Sequence, residues 1–378
     1  MSPSRPLPPV RPDLQLGSGY HSPQVPAEVR LNTNESPFPP PAAFAKELED
    51  ELSRIEFNRY PDRRATGLRA ALAALHGVDQ DEVFCANGSN EVLQCLLLAY
   101  GGPGRRALLF EPTYALHGHI SRLTGTEVVS GGRDGEFRID PVEALRLREE
   151  VRPTVTFVCS PNNPTGLTEP PELVQGLLAG GEGLVVVDEA YGQFSSWGAL
   201  GLRSQAAPEA TAGQGREVRA AEPSPAARSL VVVRTFSKTW SMAAVRLGYA
   251  VADPEVVAAC EQVALPYHLS APTQIAGTVA LRFGDEMNER VALIERERER
   301  LAAGLGELPV DSWPSEANFI LFRPRGRPAA EVWSALLDHS VLVRDCSTWS
   351  SLDGCLRVTV GTAQENDRFL TALRGCLR

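Results

Sequence analysis

The sequence predicts an α/β protein: a large domain around a mostly parallel central sheet flanked by helices, then a smaller α/β domain at the C-terminal end. Three observations predict it. Between residues 48 and 270, short β-branched runs alternate with helical stretches, the pattern of a layered domain around a parallel sheet. Runs such as Leu184-Val185-Val186-Val187 are apolar at every position, as strands buried on both faces must be. The alternation resumes on a smaller scale after residue 271.

Residues 1–47 read as an extended arm, because prolines crowd its start and no apolar signal-peptide segment is present. The large domain spans 48–270. Its strand candidates are Arg106–Phe110, 154–159, Leu184–Asp188, 230–234 and 247–251. Helix candidates include Thr66–His76, stopped by Gly77, and 90–100, stopped by Gly101 and Gly102. Residues 201–228 break the pattern: Ala, Gly, Pro, Glu and Ser dominate, few large apolar side chains can be buried, and a flexible surface insertion is expected. The smaller domain, 271–378, has a long charged helix over 284–305, whose run Glu295-Arg296-Glu297-Arg298-Glu299-Arg300 reads as a solvated face. Strands follow at 318–322, 341–344 and 356–360, with a helix at 329–339.

At 378 residues, 43% hydrophobic and 22% charged, the composition is that of an ordinary globular protein. No apolar run approaches the roughly 20 residues that cross a bilayer, so no membrane partner is expected and the cytoplasm is the expected location. Seven scattered cysteines without a CxxC pair indicate neither a disulfide framework nor zinc. His117 and His119 are closely spaced but have no acidic or cysteine partner nearby in sequence, and no metal site is expected. Net charge −10 argues against nucleic acid as a partner. It also means that any site for a small anion needs its own arginines.

The stretch 231–246 concentrates the chemistry. Lys238 lies between Phe236 and Trp240, a poorly hydrated setting that disfavours the ammonium form. A neutral lysine forms a Schiff base with a carbonyl. Thr235, Ser237 and Arg246 are placed to hold one dianion beside it, and an aldehyde carrying a phosphate is what pyridoxal 5′-phosphate offers. A buried strand followed by a loop with surface charges accounts for the stretch equally well.

Elsewhere each candidate also has a plainer reading. Asn87-Gly88-Ser89-Asn90-Glu91 follows an apolar run with a tight turn and a helix start, either an anion site or simply a capped helix. Ser160-Pro161-Asn162-Asn163-Pro164-Thr165-Gly166 is a rigid polar loop at a strand's C-terminal end, where open α/β sheets place ligands, or an ordinary turn. Asp188 ends an apolar run, where a carboxylate is costly unless a cation meets it. A protonated pyridine nitrogen would serve; magnesium is the competing partner, against which the chain has no GxxxxGK[ST] stretch. Tyr114 lies against a planar ring or merely packs. Arg344 and Arg357, at apolar strand positions, suit a carboxylate or phosphate, or pair with internal acids.

Taken in order, Leu31-Asn32-Thr33-Asn34-Glu35-Ser36-Pro37-Phe38, Asn58-Arg59-Tyr60-Pro61-Asp62, the Asn87 and Ser160 segments, Asp188-Glu189-Ala190-Tyr191, Thr235-Phe236-Ser237-Lys238, Val341-Leu342-Val343-Arg344-Asp345 and Gly354-Cys355-Leu356-Arg357 resemble the fold-type I pyridoxal-phosphate aminotransferases, specifically the histidinol-phosphate aminotransferase branch of class II. The resemblance implies that Lys238 is the Schiff-base lysine and proton shuttle, and that Asp188 pairs with the pyridine nitrogen. It assigns Asn163 and Tyr191 to the cofactor's phenolic oxygen, and Tyr114 to the ring face. Ser89, Asn90, Ser237 and Arg246 go to its phosphate. Tyr60 would reach the cofactor phosphate of a neighbouring subunit, implying a homodimer with shared sites. Arg357 would take the substrate carboxylate, Arg344 the substrate phosphate, and Tyr20 would close over substrate. The implied reaction is transamination between L-histidinol phosphate and 2-oxoglutarate, small anionic amine and keto-acid substrates, in histidine biosynthesis. Aromatic amino-acid aminotransferases and threonine-phosphate decarboxylases share most of these motifs. The chain departs from the pattern at Asn90, Val245 and Trp240, and in the 346–353 loop that carries Trp349.

Overall fold

The computed structural model describes residues 7–9, 25–204 and 225–378. Its strands are β1 (Val29–Leu31), β2 (Val83–Ala86), β3 (Arg106–Phe110), β4 (Glu127–Gly131), β5 (Val155–Cys159), β6 (Leu184–Asp188), β7 (Leu230–Thr235), β8 (Gly248–Val251), β9 (Val310–Ser312), β10 (Phe319–Pro324), β11 (Val341–Asp345) and β12 (Leu356–Thr359). Among the described residues they form two sheets. The larger has the order β2-β8-β7-β6-β5-β3-β4 and is parallel apart from β8, which runs against both neighbours. The expected mostly parallel α/β sheet is therefore present.

Its central strands are buried end to end, the valines at 185–187 and 231–233 leaving no exposed surface. Each buried valine contributes about 1.5–3 kcal/mol of transfer free energy, so β6 and β7 anchor the sheet. Their register puts Cys159 beside Asp188 and Asp188 beside Val233, which aligns the carboxyl ends of β5, β6 and β7. Loops leaving those ends face one crevice, the place where such sheets bind ligands.

The smaller sheet has the order β1-β11-β12-β10-β9. Its edge strand β1 comes from the segment read as an arm: Val29–Leu31 pairs in parallel with residues 341–343. The chain following β1 therefore crosses from the small sheet to the crevice. Helix Ala42–Leu52 runs across the expected 47/48 boundary, and helix Ala271–Ala280, beyond the expected 270/271 boundary, packs on Ala42–Leu52 and Thr66–His76 of the large domain.

The ends of the expected insertion at 201–228 are helical, as Gly201–Ser204 and Pro225–Arg228. Buried Arg203 ties them down, donating to the carbonyls of Ala227 (3.3 Å) and Leu230 (3.0 Å) and pairing with Glu82. The rest of the expected insertion, 205–224, lies outside the described residues. Among the described residues, no helix is long and apolar enough to cross a membrane.

Candidate active site

Helix Ser89–Tyr100 starts at the crevice because two glycines let backbones meet there. Gly88 has φ +77°, and a Cβ on it would lie 2.6 Å from Arg246 Nη2. A Cβ on Gly248 would lie 2.2 Å from the Ser89 nitrogen. The first amides of the helix, which have no intrahelical acceptor, are thereby held next to Arg246. Arg246, itself at φ 57°, donates to Ser237 Oγ (3.3 Å) and to the Ala243 carbonyl (3.2 Å). Thr235 Oγ1 donates to Ser237 Oγ at 3.0 Å. Helix amides, two hydroxyls and a guanidinium together suit a phosphate dianion.

Lys238 faces the same space. Its Nζ donates to the Thr33 carbonyl at 3.0 Å and lies 5.8 Å from the centre of the Tyr191 ring. Burial, reinforced by the nearby Arg357 and Arg246 charges and opposed by Glu35, pulls its pKa down to about 7. Near neutral pH, half of such lysines are uncharged and nucleophilic.

Asp188, at the tip of β6, is 1% exposed. Its Oδ1 accepts from the Ala190 N–H at 3.0 Å, and its Oδ2 lies 2.9 Å from His117 Nε2. A carboxylate only accepts, so Nε2 carries the shared proton. The His117 ring stacks on Phe157 at 4.7 Å and meets the edge of Tyr114 at 5.4 Å. His117 has no acidic partner nearby in sequence. Its partner lies 71 residues on and is brought over by the β3–β5–β6 arrangement.

A cavity of about 310 Å³ joins these groups, and Ser89, Asn90, Tyr114, Asn163, Asp188, Tyr191, Ser237, Lys238, Arg246, Arg344 and Arg357 all line it. Tyr114 donates to Asn90 Oδ1 at 3.1 Å. Tyr191 accepts from Asn34 Nδ2 at 2.9 Å, and burial pushes its own hydroxyl pKa up. Arg357 binds Asn163 Oδ1 and the Asn32 carbonyl. Tyr60 is not in this cavity: it is 80% exposed and stacks on Tyr267 at 4.5 Å. Tyr20 lies outside the described residues.

The aminotransferase class I and II family model matches residues 26–373. A curated histidinol-phosphate aminotransferase of Nocardia farcinica is 43% identical over 375 residues, 97% of this chain and 91% of that protein. The chain belongs to the histidinol-phosphate aminotransferase family. Another member, from Thermobifida fusca, is 42% identical over 97% of this chain and 94% of its own length. Among solved structures, a histidinol-phosphate aminotransferase of Sinorhizobium meliloti in complex with pyridoxal 5′-phosphate shares the fold, with a TM-score of 0.82 at 20% identity over 98% of this chain and 97% of that one.

As a member of this family, the chain has a cavity whose residues fit a phosphate-bearing aromatic aldehyde. The cradle at Gly88 and Arg246 matches the phosphate, the low-pKa lysine matches the aldehyde, and the buried carboxylate matches a basic ring nitrogen. Besides His117, the sequence reading assigned no role to Asn34, which lines the cavity and joins Tyr191 to Thr359 on β12. Its presence in the Leu31-Asn32-Thr33-Asn34 motif was the available signal.

Proposed function

We propose that this chain interconverts L-histidinol phosphate and 2-oxoglutarate with imidazole-acetol phosphate and L-glutamate, using pyridoxal 5′-phosphate, as a cytoplasmic homodimer in histidine biosynthesis. One observation carries the reading: in a chain of this family, a lysine with a pKa near 7 shares its cavity with two nearly buried arginines, Arg344 and Arg357. One arginine meets the carboxylate common to the keto-acid and amino-acid substrates, and the second leaves room for a phosphate.

When bound, the cofactor supplies an aldehyde for amine chemistry and a ring that draws electrons from the substrate Cα. The side chains do the rest. Neutral Lys238 Nζ takes the proton from the substrate Cα and returns it on the other side of the transfer. The Asp188 carboxyl group would pair with the ring nitrogen, with His117 Nε2 fixing its second oxygen. Asn163 and Tyr191 would bond the phenolic oxygen, Tyr114 would cover the ring, and Ser89, Asn90, Ser237 and Arg246 would hold the phosphate.

The dimer reading is supported by Tyr60, which is exposed apart from its stack on Tyr267, as is the nearby Phe57, and which the resemblance assigns to the other subunit's cofactor phosphate. Seven cysteines, all buried and free, fit a reducing compartment.

Two experiments bear on this directly. The apo-protein reacts with pyridoxal 5′-phosphate through neutral Lys238, so the reaction is slow where the lysine is protonated, below pH 7, and speeds up as pH rises through about 7. Stopped-flow absorbance across pH checks this; a midpoint near the ordinary lysine value would contradict it. Arg344→Ala is expected to raise the KM for histidinol phosphate roughly ten- to hundredfold, the loss of a charge-assisted bond pair, with a much smaller change for 2-oxoglutarate. Steady-state kinetics over a panel that includes phenylalanine and threonine phosphate measures it. Equal losses for both substrates would make Arg344 structural, and a preference for phenylalanine would overturn the substrate assignment.

A further inference from the structure

Residues 32–35, which follow β1, all line the cavity. The Asn32 carbonyl accepts from Arg357 Nη2 at 2.9 Å and the Thr33 carbonyl from Lys238 Nζ at 3.0 Å, after which Asn34 turns into the left-handed region with φ 55°. Asparagine adopts that conformation more readily than most residues. At 1% exposure its polar groups depend on protein partners, and each has one. The backbone N–H donates to Thr359 Oγ1 at 3.0 Å, and the carbonyl accepts from Asn318 Nδ2 at 3.1 Å. In the side chain, Nδ2 donates to Tyr191 Oη at 2.9 Å, and Oδ1 accepts from Thr359 Oγ1 at 3.1 Å.

Thr359 decides which end of the Asn34 amide faces Tyr191. Its hydroxyl accepts the Asn34 N–H, and its own hydrogen has one acceptor among the described residues, Asn34 Oδ1. The amide oxygen is therefore held on the Thr359 side, and the NH2 group is turned to Tyr191. Tyr191 Oη thus accepts from Asn34. Burial keeps the phenol protonated, so it still has a hydrogen to give. Among the described residues its hydroxyl makes no other hydrogen bond, and Tyr191 lines the cavity. The ring is steadied by an edge-on contact with Phe319, 5.0 Å between centres. A hydroxyl that already accepts one bond donates a second more strongly.

We propose that Asn34 is a positioning residue for the cofactor: its amide commits the Tyr191 hydroxyl to donating into the cavity, toward the phenolic oxygen. The proposal deepens the proposed function and rests on its assignment of Tyr191 to that oxygen. Donation to an oxygen anion stabilises it, which lowers the pH at which the lysine-bound cofactor gives up its proton. Without the Asn34 amide the phenol is no longer aimed, the donation weakens and that pH rises.

The test compares Asn34→Gly, Tyr191→Phe and the double variant with the unaltered holoenzyme. Glycine takes φ 55° without strain and keeps both backbone bonds, so Asn34→Gly removes the side chain and leaves the fold. One readout is the pH midpoint of the visible absorbance of the lysine-bound cofactor, which needs no amine substrate. The other is the affinity of the apo-proteins for pyridoxal 5′-phosphate. Asn34→Gly is expected to raise the midpoint by about half to one pH unit and to weaken cofactor binding about two- to tenfold, the worth of one hydrogen bond. Tyr191→Phe raises the midpoint at least as much. In the double variant, Asn34→Gly adds nothing to Tyr191→Phe, because it acts through that hydroxyl. Additive shifts, or an unmoved midpoint in Asn34→Gly beside a raised one in Tyr191→Phe, would overturn the proposal. If Tyr191→Phe itself leaves the midpoint unmoved, the assignment of Tyr191 to the phenolic oxygen fails and takes the proposal with it.

Discussion

Lys238→Ala is expected to lower transamination by at least about a thousandfold, because it removes both the nucleophile that binds the aldehyde and the base that moves the Cα proton. The fold should survive. Among the described residues, the Lys238 side chain makes one hydrogen bond, to the Thr33 carbonyl, and its ammonium form is disfavoured where it sits. The visible-edge absorbance of the lysine-bound cofactor should vanish along with turnover. Lys238→Arg separates nucleophile from charge: a guanidinium stays protonated at neutral pH, so this variant keeps a cation in the cavity and is expected to be as inactive as the alanine. Circular dichroism, cofactor spectra and turnover measured on both variants decide the matter. A variant that keeps the band or more than about a thousandth of the activity would remove Lys238 from the chemistry.

What the sequence made legible follows from what each element buries. Strands β3, β5, β6 and β7 were readable because a strand buried on both faces must be apolar throughout, as Val185-Val186-Val187 and Val231-Val232-Val233 are. β1, β2, β4 and β9 were not among the expected strands, β2 (Val83–Ala86) having been read only as an apolar run before a helix. β4 is an edge strand whose Glu127 and Ser130 face solvent, and β1 and β9 are three residues each, too short to show a period. The pairing of β1 with β11, across 312 positions between Val29 and Val341, has no local signature at all.

The site divides in the same way. Residues whose type announces chemistry at a strand end, such as Asp188 and Lys238, were found one by one, and their order tied them to a family. What holds them was not found, because it lies in pairs far apart in the chain. His117 meets Asp188 across 71 positions, Asn34 meets Tyr191 across 157, and Arg357 meets Asn163 across 194. The facing of Arg344 and Arg357 likewise depends on the β11–β12 register, which a reading of separate strands does not contain.

Asp188→Asn puts the largest burden on one of those hidden pairs. The amide is isosteric, and its oxygen can still accept from the Ala190 N–H or from His117 Nε2, the two bonds that hold the carboxylate now. Its NH2 group, however, would face a donor in a site 1% exposed, at a cost of about 1–3 kcal/mol for the unsatisfied polar group. The chemical loss is larger. An amide carries no charge to keep a ring nitrogen protonated, so electrons are no longer drawn from the substrate Cα in the step where Lys238 removes the proton. Turnover is expected to fall roughly 10²–10⁴-fold, the range for a proton-handling group. The KM values should change little, because Asp188 lies on the cavity floor and the arginines that meet the substrate anions are untouched. The same variant should slow Cα–deuterium exchange of the amino-acid substrate in parallel with turnover. Turnover within tenfold of the unaltered enzyme, or a loss that appears only in KM, would show that the carboxylate serves His117 and the loop after β6 rather than the reaction.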